Sequence, residues 1–244
     1  MDNNKKGQLA IFVIIAIVII GVIASFFVFR GRVDRIQYVS PEAQPVYDFI
    51  QSCMDNSLVN GSILIGYQGG YAEMPEKYLS LNFTDMGYGY YEGEKVLISK
   101  EELEGEIGKV VEYGTIGCFN PSENFPDWEV EMGDISSDVV VGEDKIIAYL
   151  NLDMVISKGE TTARFDSFSS EFNIGLKEIH EAASKIVDKE VEDPENIDFD
   201  FLLNLDYDIT IIPYSEDTYV YVIEDNNTLI NNEPYRFMFA NKLR

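Results

Sequence analysis

The sequence predicts an α+β protein: an N-terminal transmembrane helix followed by an extracellular domain of antiparallel sheet packed with about three helices. Three observations predict it. Residues 9–29 form an uninterrupted apolar run in which Ser25 is the only hydroxyl and Gly21 the only break in bulk. Apolar residues recur at helical spacing in three later stretches, about 41–65, 99–117 and 170–192. From Trp128 onward the period changes to alternation, punctuated by Gly, Asp, Asn and Ser clusters.

The apolar run sets the organisation. A helix rising 1.5 Å per residue over this length reaches about 30 Å, the thickness of a bilayer's hydrocarbon core. Bulky residues occupy every face, so no polar stripe marks a helix half-buried in a domain. The chain therefore divides into a basic leader (1–7), a transmembrane helix (8–30), a polar connector (31–40), a helical, loop-rich subdomain (41–126) and an antiparallel α+β subdomain (127–244). The expected partner of residues 9–29 is the lipid bilayer.

Lys5-Lys6-Gly7-Gln8 abuts the run, two cations and a glycine before the apolar stretch. This resembles the class III, prepilin-type signal of archaeal pilin-like proteins, which implies cleavage between Gly7 and Gln8 with the helix kept on the mature subunit. Many such signals carry a serine and a glutamate early in the helix; here those positions hold Ala10 and Phe12. The Lys-Gly-Gln start, Phe49-Ile50-Gln51-Ser52-Cys53, Tyr67-Gln68-Gly69-Gly70-Tyr71, a second cysteine and Glu233-Pro234-Tyr235-Arg236-Phe237 together resemble single-span surface proteins of archaea. An uncut signal-anchor is the alternative, whereas a secretory signal would have a shorter core and a small-x-small cleavage site.

Cations flank the run on both sides, Lys5 and Lys6 against Arg30, Arg32 and Arg35, so charge does not orient it. The large domain does. Acceptor patterns at Asn60, Asn82 and Asn226 are compatible with N-glycosylation and an exterior location. Cys53 and Cys118, an even count in an exported domain, suit one disulfide, with a buried pair of free thiols as the alternative. Formal net charge is −25 over 244 residues; residues 1–30 carry +2, leaving −27 on the rest. Such a surface repels nucleic acid and anionic lipid and favours cations, basic partners or a salty medium.

In chain order, Ser40-Pro41-Glu42 reads as a helix start, with serine at the cap and proline in the first turn. Val46, Phe49, Ile50, Cys53 and Ser57, then Leu64 and Ile65, mark one face, and Gly66 and Gly69-Gly70 end the helix. Residues 71–98 read as aromatic loop; Tyr71, Tyr78, Phe83, Tyr88, Tyr90 and Tyr91 offer a contact surface, with about half expected to cover the core. Ser99 to Glu102 spells a capping box before Leu103, Ile107, Val110 and Val111, and Gly114 and Gly117 close that helix. Strands are expected at 128–132, 138–141, 145–156 and 161–172, then a helix with Leu176, Ile179, Ala183, Ile186 and Val187 on one stripe, stopped before Pro194. Strands at 207–214, 219–224 and 235–240 finish the chain, with turns at 215–217 and 225–227.

Chemistry is sparse. The sequence holds no Gly-x-Ser-x-Gly, His-Glu-x-x-His, phosphate loop or dinucleotide fingerprint, so no catalytic, cofactor-binding or metal-ligating residue is assigned. His180, the only histidine, reads as a core or helix-boundary residue. The acids between Asp193 and Asp208 lack the spacing of a calcium loop. The expectation is a membrane-anchored cell-surface structural or adhesion protein, with filament assembly or a surface partner as its mode of contact. The alternative is a tethered ligand- or cation-binding module.

Overall fold

The computed structural model describes residues 39–243; the leader with Gly7 and Gln8, the apolar run and most of the connector lie outside these residues. The unit is α+β, with two sheets and five helices among the described residues. None of these helices is long and apolar enough to cross a membrane.

Helix α1 (Gln44–Tyr67) begins three residues beyond the expected proline. Pro41 to Ala43 instead make a turn in which the Ser40 carbonyl accepts from the Ala43 and Gln44 amides, and Pro45 supplies the proline of the first helical turn. Val46, Ile50, Met54, Leu58 and Ile65 are fully buried, while Leu64 points outward. Each such burial stabilises by about 1.5–3 kcal/mol relative to exposure. Gly69 and Gly70 then take φ of +74° and +97°, the left-handed conformations that let the chain leave the helix.

Helix α2 (Lys100–Cys118) carries the expected capping box: the Glu102 amide donates to Ser99 Oγ and the Ser99 amide to the Glu102 carboxylate. Gly114 does not close the helix; it lies inside it, where a Cβ would stand 2.5 Å from Ser57 Oγ of α1. On the facing helix, a Cβ at Gly61 would meet Val110 at 2.4 Å. These glycines set the approach of the two helices.

The smaller sheet is an antiparallel meander of β4 (Glu129–Val141), β5 (Ile146–Lys158) and β6 (Thr161–Phe172). The two strands expected at 128–132 and 138–141 are one, interrupted by an irregularity between Met132 and Ile135. Along β5, Ile146, Ala148, Leu150, Leu152, Met154 and Ile156 all face the core, the period of two read from the sequence. Between α2 and β4 lies the short α3 (Pro121–Asn124).

The strands of the larger sheet are β1 (Tyr78–Ser80), β2 (Asp85–Tyr91), β3 (Glu94–Lys95), β7 (Asp208–Pro213), β8 (Thr218–Ile230) and β9 (Glu233–Lys242). They order as β1-β2-β9-β8-β7, with β3 also paired to β2. All pairs are antiparallel except β2 with β9. Residues from both sides of the expected division at 126/127 thus share one sheet. Helix α4 (Leu176–Glu192) packs on this sheet, α5 (Phe199–Leu202) follows it, and α1 contacts both β6 and β9.

The region read as aromatic loop therefore contains a central strand. In β2, glycines at 87 and 89 hide the strand pattern and also make room: a Cβ at Gly89 would stand 2.7 Å from Val187 of α4 and 2.8 Å from Phe239 of β9. The register slips between Tyr88 and Tyr90, and the Tyr90 amide is taken by Asn241 Oδ1 at 2.9 Å. At the chain's end, 225–227 is not a turn but a register shift within β8; the hairpin turns at Asn231-Asn232, both with positive φ, as a two-residue turn of this kind requires.

Candidate interaction surface

The aromatic residues of 71–91 sort by side of the large sheet. Tyr90 is buried on the inner face, and Tyr88, with Leu79, Met86, Val220, Val222, Met238 and Ala240, forms a second small core on the outer face beneath β1. Tyr78 and Phe83 stay exposed at 43% and 76%. Tyr214, which follows β7, joins them: it is 53% exposed, and its hydroxyl donates to the Ser80 carbonyl at 3.4 Å.

At the end of β2, Tyr91 meets Tyr88 edge-on, ring centroids 5.0 Å apart. Lys77 Nζ lies 4.6 Å and Lys242 Nζ 5.1 Å from the Tyr91 ring centroid, positions where the ring quadrupole attracts a cation. Lys242 also pairs with Glu92. Burial, then the neighbouring Tyr91, raises the Tyr88 hydroxyl above its ordinary value, so this residue is a neutral phenol at neutral pH. Rigid aromatic area flanked by lysine stems is suited to contact with another surface. Tyr214 and Lys242 were beyond sequence reasoning, because only the sheet order brings residues more than 100 positions apart onto one face.

Cys53 and Cys118 stand at disulfide distance, Cα atoms 5.7 Å apart, joining the buried face of α1 to the last residue of α2. Among the sequons, Asn82 sits exposed in the loop between β1 and β2. Asn60 is exposed within α1, but its partner Ser62 is buried and donates to the Leu58 carbonyl. Asn226 is exposed in β8 and donates to Asp208 at 2.6 Å.

His180 is half-buried on α4, 2.7 Å from the Ile98 carbonyl; since that oxygen only accepts, Nε2 carries the proton. Burial holds this imidazole below its usual value, and the ring meets Phe237 edge-on.

A further cleft of about 760 Å³ opens at the start of α4, lined by Glu143, Asp144, Glu178, Tyr207, Asp225 and Asn227. Burial and then Glu178 and Asp225 push the Tyr207 hydroxyl up to about 12. Lys177 lies 3.5 Å from Glu143 at its rim. Among the described residues no group of three or more acids, histidines or thiols is gathered closely enough to hold a metal ion.

No family model, curated protein or solved structure matches the chain.

Proposed function

We propose that this protein is a membrane-anchored cell-surface structural or adhesion protein, its acidic α+β unit held outside the cell by the apolar segment 9–29 and making contact through the aromatic face of the large sheet. The observation that carries this reading is the Cys53–Cys118 pair: two helices tied at disulfide distance inside a unit bearing most of the chain's negative charge. Such a bridge persists in an oxidising exterior and is rare in the cytosol of mesophiles. The apolar run supports attachment, being long enough to span a hydrocarbon core. The exposed Tyr78, Phe83 and Tyr214 support contact, since tyrosine and phenylalanine offer large rigid area at small entropic cost.

The test is the intact mass of the native protein in the membrane fraction, with its N-terminal residue, with and without reduction before thiol alkylation. Alkylation at Cys53 and Cys118 only after reduction, in membrane-held protein, is the expected result. Alkylation without reduction, or recovery in the soluble fraction, overturns the reading. A start at Gln8 assigns prepilin-type processing and favours a filament subunit; a start at Met1 assigns an uncut anchor.

A further inference from the structure

Among the described residues the long sheet edges are guarded, with one exception. Strand β4 is the free edge of the meander, and α2 lies along its C-terminal half. There the Glu112 carboxylate accepts from the Ser137 amide at 2.6 Å and the Glu104 carboxylate from the Val141 amide at 2.8 Å. Its N-terminal half carries Glu129, Glu131 and Asp134 and the irregularity between Met132 and Ile135. On the opposite edge, β6, Gln51 of α1 donates to the Ser169 carbonyl at 2.8 Å, and Arg164 and Asp166 put charge on the strand. These are the devices by which edges are kept from pairing with another chain: covering, charge and bulges. Across the large sheet, β1 and β3 are only three and two residues long.

Strand β7 is guarded only at its ends, by Asp208 at the first position and Pro213 at the last. Among the described residues its backbone pairs with β8 on one side and with nothing on the other. From Ile209 to Pro213 it has no charged residue, in a chain of net charge −25. Thr210 and Ile212 are exposed on one face, Ile209 and Ile211 half-exposed on the other, and Ile212 is 47% exposed. Pro213 removes an amide only at the last position.

We infer that β7 is a self-pairing edge, through which two copies of the chain join their large sheets across a twofold axis. The occupant is a second copy because the strand is self-complementary. In an antiparallel pairing about Ile211, Thr210 of one copy lies beside Ile212 of the other and Ile209 beside Pro213, so apolar groups meet on both faces. The acid at Asp208 of each copy falls opposite Tyr214, at the far ends of the pairing, where the two carboxylates do not meet. Main-chain hydrogen bonds supply the affinity, as in other strand additions. The remaining negative charge of the two units opposes the approach, so salt strengthens it. This contact involves the described unit and does not depend on the membrane reading.

The test is sedimentation of the full-length protein in nonionic detergent, for wild type, Thr210→Lys and Thr210→Glu. Wild type is expected to dimerise more tightly from about 0.1 M to about 1 M salt, as the Debye length falls from about 10 Å to about 3 Å. Both variants are expected to weaken dimerisation at least about tenfold, because either sign places like charges together near the axis. Thr210 is exposed, so both should melt close to wild type; if one does not, Ile212→Lys and Ile212→Glu replace the pair. A monomeric wild type, association unchanged in both variants, or strengthening by lysine with weakening by glutamate each overturns the inference. The second would assign association to the apolar segment, the third to general electrostatics with another partner site.

Discussion

Glu190 is a carboxyl group in surroundings that oppose its ionisation. It sits on α4 at 3% exposure, one carboxylate oxygen accepting from the fully buried Tyr221 hydroxyl and the other buried without a partner. Burial is the main cause that raises its pKa above the usual carboxylate range, and Asp193 adds to it. Between the unfolded value, about 4.3, and the raised folded value, the folded state holds a proton that the unfolded state has released. Stability is therefore full below that window and falls as pH rises through it. Glu190→Gln is expected to flatten this decline, read as the slope of melting temperature against pH from about 4 upward; an unchanged slope would show that the folded carboxyl titrates normally. Asn241 of β9 is also buried, and its Oδ1 is engaged by the Tyr90 amide where the β2–β9 register slips.

At the scale of elements, what matters is how helices treat strand edges. Glu112 is one side chain bonded to both the amide and the hydroxyl of Ser137, so α2 is fastened to β4 by acids spaced along its own face. Glu112→Ala leaves that amide without its acceptor at a half-buried site, a loss of about 1–3 kcal/mol. It is expected to lower the denaturation midpoint accordingly and to increase aggregation on heating, both readable by thermal scanning with light scattering. Glu112→Gln retains an oxygen acceptor and is expected to recover part of the loss. The helices also meet closely: Gly61 and Gly114 lie where α1 and α2 cross, and neither position accepts a Cβ without displacement of its neighbour. Gly114, which reads as a helix stop in one dimension, is a spacer in three.

For the whole molecule the Cys53–Cys118 link is the largest single constraint. It encloses a separation of 65 residues that includes most of α1, the β1–β3 region and α2. In the chain-entropy model a loop of this length contributes about 4 kcal/mol, a large share of an ordinary domain's stability. Replacing both cysteines by serine is therefore expected to shift the denaturant midpoint by a loss of that order, with the slope of the transition rising as the unfolded chain expands. A midpoint unchanged by reduction would show that the link adds nothing. The parallel pairing of β2 with β9 closes the fold over a much longer separation, Tyr88 against Ala240, so the large sheet is complete only once the C-terminal hairpin is in place.

The sequence by itself determined what depends on local pattern. The α+β class, the capping box at Ser99 and Glu102, the stripe of α4, the alternation along β5 and the apolar run at 9–29 all follow from periodicity and near neighbours. It also marked residues 71–91 as rich in tyrosine, about half of it expected to cover the core. Only the tertiary structure decided which tyrosines are buried, which glycines are spacers, and that Gly-Tyr-Gly-Tyr is a central strand. Those outcomes depend on what lies across the sheet or the helix crossing, a partner distant in sequence. The edge role of β7 belongs to the same class: a short apolar run bounded by acids reads alike at the centre or the margin of a sheet, and only the strand order sets its backbone beside a partner or leaves it free.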